Sequence, residues 1–343
     1  MTSVTGAPKD GLLTKEQLKT FNEEGYLIIP KYFSKEELEP VISSINKLVD
    51  DLASALYDAG LIKSKYENEG FYTRLTCIEK EYPGASVVLH SDGVLTPEIA
   101  KLWTTPRLLD MVQQLIGPNI AGHQVWNLRT KTPQNSEATV PWHQDTAYLN
   151  SGCETTLQPT AWIPLIDATA ENGCMQVIAK GHKTGEVLKH ECCVRDTWYI
   201  GIEEKEMEKM KDQEIVTCPV PMGGILLINQ LIPHRSLENS SNKIRWSVDL
   251  RWQDPSKYDG FWGEKKTVLF RKDGKDIENI DWGTFSDISR TKQQMETLMK
   301  MGKVSKEDLT KKFNPIISGP WMARWPVTNH NKHSKGFAGD GIS

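Results

Sequence analysis

The chain has 343 residues, of which 38% are hydrophobic and 25% charged, with a formal charge of −4. That balance is ordinary for a soluble globular protein and offers no broad electrostatic grip on nucleic acid or an anionic membrane. No apolar run approaches the roughly 18 residues that a membrane-spanning helix needs, so neither kind of partner is expected.

The first hundred residues read as helices. Thr14-Lys15-Glu16-Gln17 is a capping box that opens a short helix, and the extended apolar run Tyr26-Leu27-Ile28-Ile29-Pro30 follows it. Ser34-Lys35-Glu36-Glu37 is a second capping box. Behind it Val41, Ile42, Ile45, Leu48, Val49, Leu52 and Leu56 keep a helical period, with Pro40 expected to bend the helix near its start. Thr105-Pro106 starts a further helix that Gly117 stops. From Ile120 the texture changes to short strands: Ile120–Thr130, Thr139–Tyr148, Thr160–Leu165, Met175–Ile178, Glu214–Cys218, Gly224–Asn229 and Ile244–Trp252. Glu203–Gln213 reads as a charged helical insertion, Thr291–Met301 and Ser305–Phe313 as helices, and the last twenty residues as an extended surface segment. The expectation is one unit over 1–343, mainly β: helical support over 13–117, a jelly-roll or cupin-like core over 120–252, and a C-terminal extension over 255–343.

The six cysteines, Cys77, Cys153, Cys174, Cys192, Cys193 and Cys218, show no C-x-x-C pair or zinc-finger spacing and read as free thiols of a reducing compartment. Met1–Gly6 has neither a basic nor an apolar leader region, and the chain does not end in the peroxisomal tripeptide; cytoplasmic residence is expected.

The chemistry concentrates in Trp142-His143-Gln144-Asp145. Side chains two apart on a strand share a face, so His143 and Asp145 can present an imidazole and a carboxylate together. His234 supplies a third candidate ligand, and two histidines with one carboxylate on one face of an octahedron are the mark of a non-haem Fe(II) oxygenase. Arg245, eleven residues beyond His234, could grip a carboxylate with its planar fork, and Ser236 could add a hydroxyl donor. Ile244, Trp246, Val248, Leu250 and Trp252 alternate with Arg245, Ser247, Asp249 and Arg251. Alternation alone favours a solvated polar face; His234 and the need to neutralise Arg245 favour a cavity instead. His90, His123, His182 and His190 read as structural, and His330 and His333 as part of a polar tail.

The run around His143, the block Trp162-Ile163-Pro164-Leu165 through Glu171-Asn172-Gly173-Cys174-Met175, and Gly223-Gly224 leading to His234-Arg235-Ser236, Asn239 and Arg245 resemble the phytanoyl-CoA dioxygenase family of Fe(II)/2-oxoglutarate enzymes. So does the N-terminal helix followed by Glu24-Gly25-Tyr26-Leu27, and the likeness extends from about Leu13 to Trp252. It implies a double-stranded β-helix, with Fe(II), 2-oxoglutarate and O2 as cofactor and cosubstrates. By the same resemblance His143, Asp145 and His234 are iron ligands, and Arg245 and Ser236 clamp the cosubstrate carboxylate. Trp162 packs on the cosubstrate, Gln124 and Asn127 approach it from the preceding strand, and Gln144 is either a cosubstrate contact or structural. Family members that halogenate lack the carboxylate ligand, so Asp145 implies hydroxylation. The substrate is expected to be a small molecule, open among lipid-like compounds, acyl-CoA and secondary metabolites. Oligomeric state is not legible. Two other readings use the same residues: a cupin-like metal hydrolase or isomerase, which leaves Arg245 without a role, and a non-catalytic metal-binding member. Arg251 is open between a substrate anion and a surface salt bridge, and Trp142 and Trp162 are the tryptophans expected near the cavity.

Overall fold

The computed structural model describes residues 11–92, 94–262, 267–286, 290–304 and 312–337. In chain order the elements are α1 (Lys15–Glu24), β1 (Tyr26–Ile29), α2 (Lys35–Asp58), α3 (Arg74–Glu81), α4 (Ala85–Asp92), α5 (Pro97–Trp103), α6 (Pro106–Ile116), β2 (Ile120–Gly122), β3 (Asn127–Lys131), β4 (Thr160–Pro164) and β5 (Met175–Ile178). Then follow β6 (His190–Cys192), β7 (Ile200–Ile202), α7 (Glu204–Glu208), β8 (Ile215–Cys218), β9 (Ile225–Ile228), β10 (His234–Ser236), β11 (Arg245–Gln253), β12 (Val268–Lys272), β13 (Lys275–Asp276), α8 (Gly283–Ser286), α9 (Arg290–Lys300) and α10 (Trp321–Arg324).

Local chemistry sets the helix starts. Both capping boxes close reciprocally: Gln17 N–H donates to Thr14 Oγ1 and Thr14 N–H to Gln17 Oε1, and Glu37 and Ser34 repeat the exchange. Helix α2 runs through Pro40, and α6 opens on Pro106 and stops at Gly117, whose φ is +92°.

The fold is mainly β with several helices. The larger sheet has the order β1-β9-β4-β11-β2-β12-β13, with β3 also paired to β11; β10-β5-β8 form a second sheet and β6-β7 a ribbon. Alternation divides the larger sheet between two environments. Ile163, Ile225, Leu227, Trp246, Val248, Leu250 and Trp252 share a core with α2, α5 and α6. Trp162, Leu226 and Ile228 point the other way and pack with Met175 and Val177 of the smaller sheet. The polar row of β11, from Arg245 to Arg251, is as buried as its apolar row, so it faces the interior between the sheets and not solvent.

Several expected boundaries move. Ile120–Thr130 is two strands, because β2 pairs the far end of β11 and β12 while β3 pairs the near end of β11. Thr139–Tyr148 is not a strand: only a single bridge at His143 forms before the chain turns into a 3-10 helix over Asp145–Tyr148. The N-terminal part contributes β1 and the C-terminal part β12 and β13 to the larger sheet. Helix α7 covers only Glu204–Glu208 of the expected Glu203–Gln213. Helix α9 falls where Thr291–Met301 was expected, while residues 305–311 of the expected Ser305–Phe313 helix lie outside the described residues. The last twenty residues, expected as an extended surface segment and described as far as Phe337, are only partly on the surface, since His333, Ser334 and Phe337 are buried. Cys192 and Cys193 are joined as a disulfide, which leaves four free cysteines among the described residues. Sequence spacing gave no warning, because a bond between immediate neighbours belongs to no framework or metal pattern. Among the described residues no helix is long and apolar enough to cross a membrane.

Candidate metal centre and its cavity

His143 and His234 face one another across an isolated antiparallel bridge, each donating its N–H to the other's carbonyl at 3.0 and 2.9 Å. Their ring centroids are 4.1 Å apart. Gln144 is extended (φ −111°, ψ 137°), which carries Asp145 round to the side of His143 before the 3-10 helix begins. Asp145 Oδ1 lies 3.8 Å from His143 Nε2 and 3.9 Å from His234 Nε2. The three candidate ligand atoms all fall within 4.8 Å of one another.

Each imidazole is oriented by its own backbone. His143 Nδ1 lies 2.8 Å from Pro141 O and His234 Nδ1 2.9 Å from Ile232 O. A carbonyl can only accept, so both rings carry hydrogen on Nδ1 and present the Nε2 lone pair inward, the tautomer a metal requires. Burial, helped by the facing His234, holds His143 well below the usual histidine range, and hence neutral. Burial alone would raise the Asp145 pKa, but the charge and hydrogen bond of Arg251 outweigh it and keep the carboxyl ionised. Arg251 donates from Nη2 to Asp145 Oδ2 at 2.5 Å, from Nε to Thr160 Oγ1 at 2.8 Å and from Nη1 to Val125 O at 2.8 Å. It is therefore neither a surface salt bridge nor a free cation: it occupies one oxygen of Asp145 and leaves the other toward the imidazoles. These residues fit a divalent ion.

A cavity of about 710 Å3, mouth included, opens beside the three groups and takes in Trp162, Ser236, Arg245 and Lys131. The Arg245 guanidinium lies 5.0 Å from the Trp162 ring centroid and donates from Nη1 to Ser247 Oγ at 2.7 Å, while its buried Nε has no partner. Arg245 is directly opposite Lys131 in the β3–β11 register. Lys131 Nζ donates to Ala138 O at 2.8 Å. Among the described residues neither cation forms an ion pair with a carboxylate, and burial lowers both pKa values, that of Arg245 to about 10. Two buried like charges on facing positions are unfavourable unless an anion joins them. The orphaned Nε and paired cations fit a carboxylate such as the far end of 2-oxoglutarate. Ser236 lines the same space, accepting from Val140 N–H at 3.0 Å.

The remaining expected contacts divide. Gln144 is turned away from the cavity, holding Leu231 O, Glu186 O and Leu188 N–H, and is structural. Gln124 donates to Asp259 at 2.9 Å and lines neither this cavity nor its neighbour. Asn127 donates to Asp249 at 3.3 Å and lines the neighbouring chamber, not the Arg245 side. Trp142 packs outside, against Arg235. His123, His182 and His190 hydrogen-bond to backbone, whereas His90, also read as structural, does so and lines both chambers as well. His333 accepts from Ile317 N–H inside the protein, so it is no part of a polar tail. Lys131, Arg129 and Asp249 were not singled out from sequence. The β11 alternation carried the signal for Asp249, but Lys131 needed the strand register.

The family model for phytanoyl-CoA dioxygenase (PhyH) matches residues 21–247, about two thirds of the chain. Phytanoyl-CoA dioxygenase 1 of Oryza sativa is 27% identical over 264 residues, covering 71% of this chain and 90% of that protein. The 1-deoxypentalenic acid 11-beta-hydroxylase of Streptomyces arenae is 28% identical over 170 residues, covering 47% of this chain and 58% of that protein. Among solved structures, EctD from S. alaskensis with 2-oxoglutarate and 5-hydroxyectoine superposes with a TM-score of 0.53 at 17% identity, covering 84% of this chain and 88% of that one. The non-heme monooxygenase ThoJ gives 0.53 at 18%, covering 82% and 98%. These structural likenesses establish a shared fold, and the family-model match goes further: the chain belongs to the phytanoyl-CoA dioxygenase family.

Proposed function

We propose that the protein is an Fe(II)- and 2-oxoglutarate-dependent dioxygenase that hydroxylates a small molecule, with 2-oxoglutarate and O2 converted to succinate and CO2. The observation that carries the reading is the meeting of two inward-facing Nε2 atoms and a shared carboxylate oxygen with a buried, unpaired Arg245 in one cavity. His143, Asp145 and His234 would hold the iron; Arg245, Ser236 and Lys131 would hold the far carboxylate of 2-oxoglutarate, with Trp162 beneath it. Bound iron and 2-oxoglutarate supply oxygen activation coupled to oxidative decarboxylation. The chain's own groups orient: the Pro141 and Ile232 carbonyls fix the imidazoles, Arg251 and Thr160 fix the carboxylate, and the enclosing side chains exclude water. We read the two facing sheets as a double-stranded β-helix of jelly-roll type backed by the N-terminal helices, all serving one catalytic unit. A metal hydrolase would have no use for the Arg245–Lys131 pair. Succinate release by iron-loaded protein over a panel of small metabolites, with His143→Ala as control, tests the proposal. Tight zinc binding without any 2-oxoglutarate binding would sink it.

A further inference from the structure

A second chamber of about 760 Å3, mouth included, adjoins the candidate metal centre and shares with the first cavity His143, Asp145, Arg251 and Arg129. Its walls are aromatic: Tyr148, Trp198, Tyr199, Phe261, Trp262 and Trp321. Phe261, Trp262 and Trp321 come from beyond residue 247, outside the stretch that matches the family model. Arg245 and Lys131 line only the first cavity, so the aromatic chamber is the space left for a substrate.

The charges are unequal. Arg129, Lys131, Arg245 and Arg251 face the joined space against Asp145 and Asp249; Glu137 at its edge is paired with Lys332. Arg245 and Lys131 belong to the first cavity, whereas in the aromatic chamber Arg129 and Arg251 stand beside Asp145, with Asp249 behind Arg129. Arg251 has its donors engaged by Asp145, Thr160 and Val125. Arg129 uses Nε on Asp249 Oδ2 at 2.7 Å and lies against the Tyr199 hydroxyl, and its side chain keeps 21% of its surface exposed at the junction of the two spaces. An arginine fork can serve a second carboxylate from its free edge. Among the described residues the chamber is lined by no lysine, and by no arginine besides Arg129 and Arg251, that could meet the phosphates of a coenzyme A thioester.

We infer that the substrate is a free carboxylic acid with a bulky apolar body, its carboxylate held by Arg129 and its body packed between the aromatic walls that the C-terminal segment completes. This deepens the function proposed above and rests on it for the assignment of the two spaces. The test is equilibrium binding, followed by tryptophan fluorescence and calorimetry, of 1-adamantanecarboxylate and 1-naphthoate against their neutral methyl esters, on Mn(II)-loaded protein with 2-oxoglutarate present. A charge-assisted contact predicts that each acid binds roughly tenfold to a hundredfold tighter than its ester. Arg129→Met removes that preference without weakening the ester, and Trp321→Ala weakens acid and ester alike. Equal binding of acid and ester by the unaltered protein overturns the inference, as does a preference that survives in Arg129→Met, or acids that compete with 2-oxoglutarate. Calorimetry with 2-oxoglutarate alone keeps the two readings apart: its failure to bind sinks the proposed function, whereas normal binding with no acid preference sinks only the substrate class. Should Arg129→Met also lose 2-oxoglutarate binding, the acid–ester comparison on the unaltered protein decides alone.

Discussion

Replacing Arg245 by methionine has a consequence opposite to that of most buried charge deletions. Burial lowers the pKa of this guanidinium from an ordinary 12.5 to about 10, and at about 1.36 kcal/mol per pH unit that difference of 2.5 amounts to about 3 kcal/mol. The sign is a penalty: the charged form is disfavoured in the folded chain at every pH below about 10 and is relieved only above it. Methionine removes that penalty, and with it the hydrogen bond to Ser247, about 1 kcal/mol, and the stacking on Trp162, about 1–2 kcal/mol. These nearly cancel. Ligand-free Arg245→Met should therefore unfold within about 1 kcal/mol of the unaltered protein, where breaking a paired buried arginine costs about 3–5 kcal/mol. The variants differ once 2-oxoglutarate is added. At a hundred times its Kd, with Mn(II) present, it should stabilise the unaltered protein by about 2.7 kcal/mol and leave Arg245→Met unmoved. Thermal and urea unfolding with and without the ligand measure both halves. A ligand-free loss above about 3 kcal/mol would mean the guanidinium is a structural partner, and a retained response to 2-oxoglutarate would remove it from the clamp.

Arg251→Gln breaks the buried pair with Asp145 and should lose about 3–5 kcal/mol of stability and about tenfold to a hundredfold in metal affinity, read by melting and by metal titration. His143→Ala and His234→Ala should each abolish metal-dependent 2-oxoglutarate binding, whereas His330→Ala, at an exposed position, should not. Gly173→Ala places a Cβ 2.6 Å from Leu237 O and from Lys131 Cδ at φ +85°, and should lose about 1–3 kcal/mol while weakening 2-oxoglutarate binding through the displaced lysine. Burial lowers His190 and His333 from 6.5 to about 4. Both are held neutral in the folded chain, so stability should fall as pH drops from 6.5 toward 4; a flat denaturation profile there would refute their neutrality.

The local part of the site was legible because it is a spacing: His143, Asp145, His234, Ser236 and Arg245 meet at one cavity, and both capping boxes close as their residues suggest. What escaped notice depends on pairing between distant segments. Lys131 acquires meaning only from standing opposite Arg245, and Arg251, left open between a substrate anion and a surface salt bridge, finds its partner only because Asp145 lies within reach. The strand expected over Thr139–Tyr148 failed for a related reason, since a single bridge to β10 holds His143 and no ladder continues it. Trp321 carries no periodicity that could tie it to Tyr148, though their rings lie 5.6 Å apart. Gln144 shows the converse limit: a polar residue between two ligands still points away from them, because neighbours on extended backbone alternate.

Strand β11 has one further implication, for how such a protein can change over evolutionary time. Its even-numbered side chains are the spine of the core and its odd-numbered ones furnish the interior polar row. Point replacements along the odd row can retune the chemistry while the spine stays intact. A single-residue insertion or deletion in the Glu238–Lys243 turn has no such latitude if it shifts the pairing by one, since it would send tryptophans into the reaction space and arginines into the core. Lineages descended from this chain should accordingly diversify here by exchange of residues and almost never by change of length.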